Sequence, residues 1–173
     1  RPPPKFLARR SSGSAPTVPR TAGSTYGFQN VRPLPGYADS AKAERLLLEL
    51  ADDPGFTRVM EKHRWMVQCL AEMEPDGMVG VDPVCVLGYN TNKGLSIHLR
   101  LRTDDKKGFR PMFMLKQVLA HELAHNVHSE HNTQFFELMR QIEREARQFD
   151  WRQSDGYTTT VVNRKYSNMA PET

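Results

Sequence analysis

Two histidines four residues apart, His121 and His125, bracket a glutamate, Glu122, and a third histidine, His131, follows six positions after the second. On a helix, residues four apart share one face about a turn apart, so two imidazoles at that spacing can grip one small cation. Glu122 sits beside the first of them and can act on a water without binding the ion itself. Three neutral nitrogens leave a tetrahedral Zn²⁺ one open position, the arrangement of catalytic rather than structural zinc. The residues therefore point to a zinc hydrolase, with one Zn²⁺ per chain, His121, His125 and His131 as ligands and Glu122 as the acid/base. The competing reading is a helix that merely carries surface histidines.

The third ligand has rivals. His128 falls on the same helical face seven residues after His121, but two turns separate them by roughly 10 Å, and bonds of about 2 Å from one ion do not span that with His125 between. His131 reaches the ion only if the helix stops near Val127 or His128 and the chain turns back. Asn132 is a plausible N-cap for a helix that starts just afterwards. A downstream carboxylate, Glu143 or Glu145, is the remaining alternative.

The elements that must position these groups read as α+β. A helix spans Ser40 to Ala51, with Ser40 as its N-cap and Ala43, Leu46, Leu47 and Leu50 inward. Asp53-Pro54 opens a second helix, with aspartate at the cap and proline in the first turn. Three strands follow: Trp65 to Ala71, Cys85 to Tyr89 and Leu95 to Arg102, the last two joined by the turn Asn90-Thr91-Asn92-Lys93-Gly94. In the third, Leu95, Ile97, Leu99 and Leu101 point one way, and Ser96, His98, Arg100 and Arg102 the other. That polar row makes His98, Arg100 and Arg102 candidate contacts to nucleic acid or substrate, against a plain solvated sheet face. The metal helix presents Phe113, Val118 and Leu119 to the core. A last helix, Thr133 to Phe149, buries Phe135, Phe136, Leu138, Met139, Ile142, Ala146 and Phe149 and turns a salt-bridged charged face to water.

The net charge of +4 is uneven: residues 1–32 carry six basic residues and no acid, leaving 18 basic and 20 acidic residues elsewhere. Residues 1–38, rich in Pro, Ser, Gly and Arg, read as a disordered basic arm able to hold phosphate backbones through charge alone, or as a plain linker. Residues 39–152 form the domain, and 153–173 a flexible tail. No apolar run approaches the roughly 20 residues that span a bilayer. Cys69 and Cys85, each in an apolar stretch, read as reduced core thiols of a nuclear or cytosolic protein. The sequence opens on Arg1, which reads as a piece of a longer chain.

The run H-E-L-A-H-N-V-H-S-E-H-N, preceded by L-G-Y-N-T-N-K-G-L-S-I-H-L-R-L-R-T-D-D-K-K-G-F-R, resembles the WLM (Wss1-like metalloprotease) domain over about Asp53 to Trp151. The stretches D-P-G-F-T-R-V-M-E-K-H-R-W and L-R-L-R-T-D-D-K-K-G-F-R are most similar to the subgroup in which that domain follows a ubiquitin-like domain. The resemblance implies a compact zincin-like α+β fold related to the SprT-like proteases, with zinc on His121, His125 and His131 and Glu122 catalytic. It also implies a nuclear, DNA-activated protease acting on proteins crosslinked to DNA, linked to SUMO and ubiquitin conjugates and to the Cdc48/p97 unfoldase, though no motif for those partners is recognisable in the sequence. One departure stands out: His128 and Ser129 occupy the bend where related metzincins carry glycine, so this turn must form without one. Against the protease stands a zinc-stabilised module that binds DNA or SUMO/ubiquitin conjugates and cuts little. Tyr89, His98 and His128 are the candidates for stabilising an oxyanion.

Overall fold

The computed structural model describes residues 17–19, 25–79 and 86–151. In chain order its elements are β1 (Val18–Pro19), β2 (Gly27–Arg32), α1 (Ser40–Ala51), α2 (Pro54–His63), β3 (Met66–Glu72), β4 (Gly88–Thr91), β5 (Ser96–Leu99), α3 (Met112–Ala124) and α4 (Thr133–Trp151). The strands make one sheet in the order β1-β2-β3-β5-β4. Its centre, β2, β3 and β5, is parallel, and both edges run antiparallel. Parallel neighbours need a crossover, and α1 and α2 supply the one between β2 and β3.

Each helix forms for a local reason. In α1, Ala43, Leu47 and Leu50 recur at helical spacing and are buried with Ala51. The cap position is Asp39; Ser40 begins the helix, and its hydroxyl donates to the carbonyls of Leu34 and Tyr37. For α2, the Asp53 carboxylate accepts the Phe56 N–H at 3.0 Å, and Pro54 occupies the first turn, where no N–H is needed. Lys116 of α3 reaches the same carboxylate at 2.7 Å, which ties the metal helix to the start of α2. The core gathers Val31, Leu47, Leu70, Ile97, Leu99, Leu115, Leu119 and Phe135 between the helices and the sheet.

Among the described residues five strands replace the expected three. β2 lies inside the stretch expected to be a disordered arm; its buried Phe28 and Val31 stand three apart, so no alternation betrays it, and its partner β3 is far along the chain. Residues 1–16 and 20–24 of the expected arm, the expected tail at 153–173 and Cys85 lie outside the described residues. The strand expected from Cys85 to Tyr89 is β4, displaced to Gly88–Thr91. Leu95 is 44% exposed while Ile97, Leu99 and Leu101 are fully buried, and α3 turns Leu115 rather than Phe113 inward. Cys69 is a half-buried free thiol. Among the described residues no helix is long and apolar enough to cross a membrane.

Candidate metal centre

α3 carries His121 and Glu122 in its last turn and stops at the second histidine, His125. The stop is a tightening of the helix: the N–H groups of His125, Asn126 and Val127 bond back to the carbonyls of Glu122, Leu123 and Ala124, three residues behind. No residue from His125 to His131 has a positive φ, so the bend needs no glycine, and His128-Ser129 serve there. Asn132 then opens α4, its side-chain oxygen accepting the Phe135 N–H at 2.9 Å. The chain has doubled back, and His131 faces the helix it left.

The three Nε2 atoms converge: His131 lies 3.2 Å from His121 and 3.1 Å from His125. A tetrahedral zinc with bonds of about 2.0–2.1 Å sets its nitrogens roughly 3.3–3.4 Å apart, so the spacing suits one such ion. One Nε2–H shared between two ring nitrogens would be a weak three-centre bond, whereas a single ion takes up all three lone pairs. His125 Nδ1 lies 2.9 Å from the His128 carbonyl; as a donor there, it leaves its Nε2 lone pair for a metal. Burial, then the neighbouring His125 and His131, push the His121 imidazole down to about 4, and burial, then His131, lower His125 against the His128 carbonyl. Both are neutral at pH 7, the form that ligates. Among the described residues this is the only cluster of three or more His, Cys, Asp or Glu that could hold a metal.

Glu122 is 4% exposed, and burial raises its carboxyl to about 7, where a group can both take and give a proton at neutral pH. Phe135, which the sequence marks only as core, packs against all three imidazoles at centroid distances of 4.6–4.9 Å. Its apolar spacing gave no sign of that role. His128 contributes its carbonyl rather than its ring. Glu143 is not in the cluster, and Glu145 is turned to α2, where it meets Lys62 and His63.

The polar row of β5 is corrected. Arg100 and Arg102 are each 1% exposed and cannot meet a phosphate backbone. Arg100 donates to the carbonyls of Asp76 and Gly77 and to Asp104. Arg102 donates to Glu72 and Asp39 and lies over the Tyr37 and Phe109 rings. Alternation had placed both opposite the leucines, but the loops after β3 and β5 cover that side. His98 stays half-buried; it stacks on Tyr89 at 4.3 Å and bonds Ser96, and it is not one of the clustered imidazoles.

The WLM domain family model matches residues 26–171. The chain belongs to the WLM family. It is 45% identical over 130 residues to the DNA-dependent metalloprotease WSS1 homolog 2 of Schizosaccharomyces pombe, covering 75% of this chain and 45% of that protein. The DNA-dependent metalloprotease WSS1 of Saccharomyces cerevisiae is 29% identical over 116 residues, covering 66% of this chain and 40% of that protein. This WLM chain thus spans under half the length of those relatives. The crystal structure of Wss1 from S. pombe superposes with a TM-score of 0.64 at 44% identity, over 72% of this chain and 96% of that one. That of Wss1 from S. cerevisiae gives 0.66 at 25% identity, over 78% and 98%.

Proposed function

We propose that this WLM chain is the catalytic domain of a DNA-associated, zinc-dependent endopeptidase that acts on proteins crosslinked to DNA. The observation that carries the reading is the convergence of three imidazole nitrogens at 3.1–3.2 Å beside a buried carboxyl. His121, His125 and His131 would hold the metal, and Zn²⁺ is the ion their donor set and number favour. When bound, it supplies Lewis acidity to polarise a peptide carbonyl. Glu122 takes the proton of the attacking water and delivers it to the leaving amine, a role that a carboxyl titrating near neutrality suits.

The DNA association draws on the names of the relatives and on the six basic residues of positions 1–32, the last of which, Arg32, ends β2. A nuclear site of action goes with it. SUMO or ubiquitin conjugates and the Cdc48/p97 unfoldase are partners that rest on the family resemblance alone.

The test compares the wild-type chain with Glu122→Gln for zinc content and for cleavage of a DNA-binding protein, with and without single-stranded DNA. Zinc bound in both and chelator-sensitive cleavage in wild type alone is the expected outcome. Cleavage that survives in a zinc-loaded Glu122→Gln variant removes the assignment. Zinc and salt-sensitive DNA binding without any cleavage would instead make the chain a binding module.

A further inference from the structure

The turn between β4 and β5 is docked onto the end of the metal helix by one side chain. Asn90 lies on β4, the open edge of the sheet. Its Nδ2 donates one hydrogen to the main-chain oxygen of Glu122 at 2.8 Å and the other to Asn126 Oδ1 at 2.7 Å. Its Oδ1 accepts the N–H of Gly94, in the turn that follows, at 2.8 Å. Both donors and the acceptor are thus engaged, which fixes the orientation of the amide. The Glu122 carbonyl is one of those at the end of α3 that no N–H four residues on satisfies, since only His125, three residues ahead, reaches it, at 3.2 Å.

The surroundings are built to this contact. Gly88, on the same face of β4 two residues earlier, has no room for a side chain: a Cβ there would meet the His98 carbonyl at 2.8 Å and Val118 of α3 at 3.0 Å. Gly94 has φ +104°, and a Cβ on it would meet Asn126 Oδ1 at 2.9 Å. Asn92 and Lys93 before it also have positive φ, the conformation that folds a tight hairpin back on itself. The hairpin therefore approaches α3 closely along its length, and its polar contact falls on the residues around the second histidine, Glu122 and Asn126.

We propose that Asn90 is a positioning residue for the metal centre: it holds the last turn of α3 against the β4–β5 hairpin and so sets the aim of Glu122 and the place of His125. The inference rests on the protease reading for its catalytic part and on the His121, His125 and His131 donor set for its metal part. Groups that orient metal ligands from behind change metal affinity or activity by about 10–100-fold when lost. Asn90→Asp keeps the shape but places an acceptor against two acceptors, and Asn90→Ala removes the contact altogether.

The experiment measures zinc affinity by chelator competition, kcat and KM separately, and thermal unfolding, for wild type, Asn90→Asp and Asn90→Ala. A fall in zinc affinity and in kcat by about 10–100-fold, with KM held and activity measured well below the unfolding transition, is the result expected. Gly94→Ala, which drives a methyl into Asn126, should reproduce the loss in weaker form without touching Asn90. Zinc affinity and kcat both at the wild-type level in a folded Asn90→Ala protein overturn the proposal. So does a loss confined to unfolding temperature, which a merely structural residue would give. Should wild type bind zinc and cut nothing, the protease reading fails, while zinc affinity still decides whether Asn90 positions the centre.

Discussion

Replacing Arg102 with methionine separates its buried role from the surface role that alternation along β5 suggests. In the structure its Nε donates to Glu72 at 2.8 Å and its Nη1 to Asp39 at 2.6 Å, and its guanidinium lies 3.8 Å from the Tyr37 ring centre. The two halves of this network differ in weight. Asp39 is 41% exposed at its side chain, so water screens that pair and its share is at most about 1 kcal/mol. Glu72 is fully buried at its side chain, and removing one partner of such a pair strands the other, at about 3–5 kcal/mol. For a chain of this size each kcal/mol moves the unfolding temperature by about 2–4 °C, so Arg102→Met should unfold roughly 6–20 °C below wild type. Burial already raises the Glu72 carboxyl, against the Leu34 N–H and Arg102. Without Arg102 it rises further. A carboxyl whose folded pKa is raised favours the fold below its ordinary value of 4.5 and loses that contribution as pH climbs through the folded value, so the deficit should be smaller at pH 5 than at pH 8. The double variant Glu72→Gln/Arg102→Met should regain part of the loss, because Gln can still accept from Leu34 at the position where Glu72 does so at 2.9 Å. The assay is thermal and urea unfolding of zinc-loaded protein, beside salt-dependent DNA binding at a temperature where both forms are folded. Unchanged unfolding with weakened DNA binding would refute the reasoning and return Arg102 to the surface.

Two further substitutions probe the frame around the site. Glu145 joins α4 to α2; burial raises its carboxyl, but Lys62, Gln141 and His63 together outweigh burial and hold it below the usual carboxylate range. Its contribution is present above pH 4.5 and lost as pH falls through the depressed value, so Glu145→Gln should cost about 1–3 kcal/mol at pH 7, nearer the low end because Lys62 is exposed, with the gap to wild type closing towards pH 3 in unfolding experiments. A gap independent of pH would break that link. Gly55→Ala pits helix propensity, which favours alanine by up to about 1 kcal/mol, against a Cβ that would sit 2.2 Å from the Ala146 carbonyl oxygen. Overpacking should win, with a net loss of about 1–3 kcal/mol by urea unfolding, and a stabilised variant would show that α2 and α4 can part without cost.

What the sequence disclosed, and what it hid, follows the range of the interactions. His121 and His125 are legible because one helical turn joins them, and His131 because the turn and the Asn132 cap that return it are also local. The Asp53-Pro54 start of α2 is equally local. β2 escapes because a parallel strand takes its stability from a partner beyond a two-helix crossover, and its own residues show no period of two. Arg100 and Arg102 show a subtler limit: alternation assigns a side chain to a face but says nothing of what covers that face. Asn90 looks like turn chemistry and is that, but the oxygen it serves lies 32 residues away.

The imidazole cluster is held from several sides by groups that do not themselves ligate. The helix ends in a tightened turn, the His128 carbonyl fixes the ring of His125, and Phe135 packs against all three rings. Protonated imidazoles this close would repel one another, yet burial and mutual proximity keep His121 and His125 neutral at pH 7, so the rings can be gathered without stacking like charges. Burial also withdraws water from Glu122 and lifts its carboxyl to about 7. One physical cause, burial at the end of α3, thus lowers the bases that should ligate and raises the acid that should move protons. Loosening that packing should disturb both together.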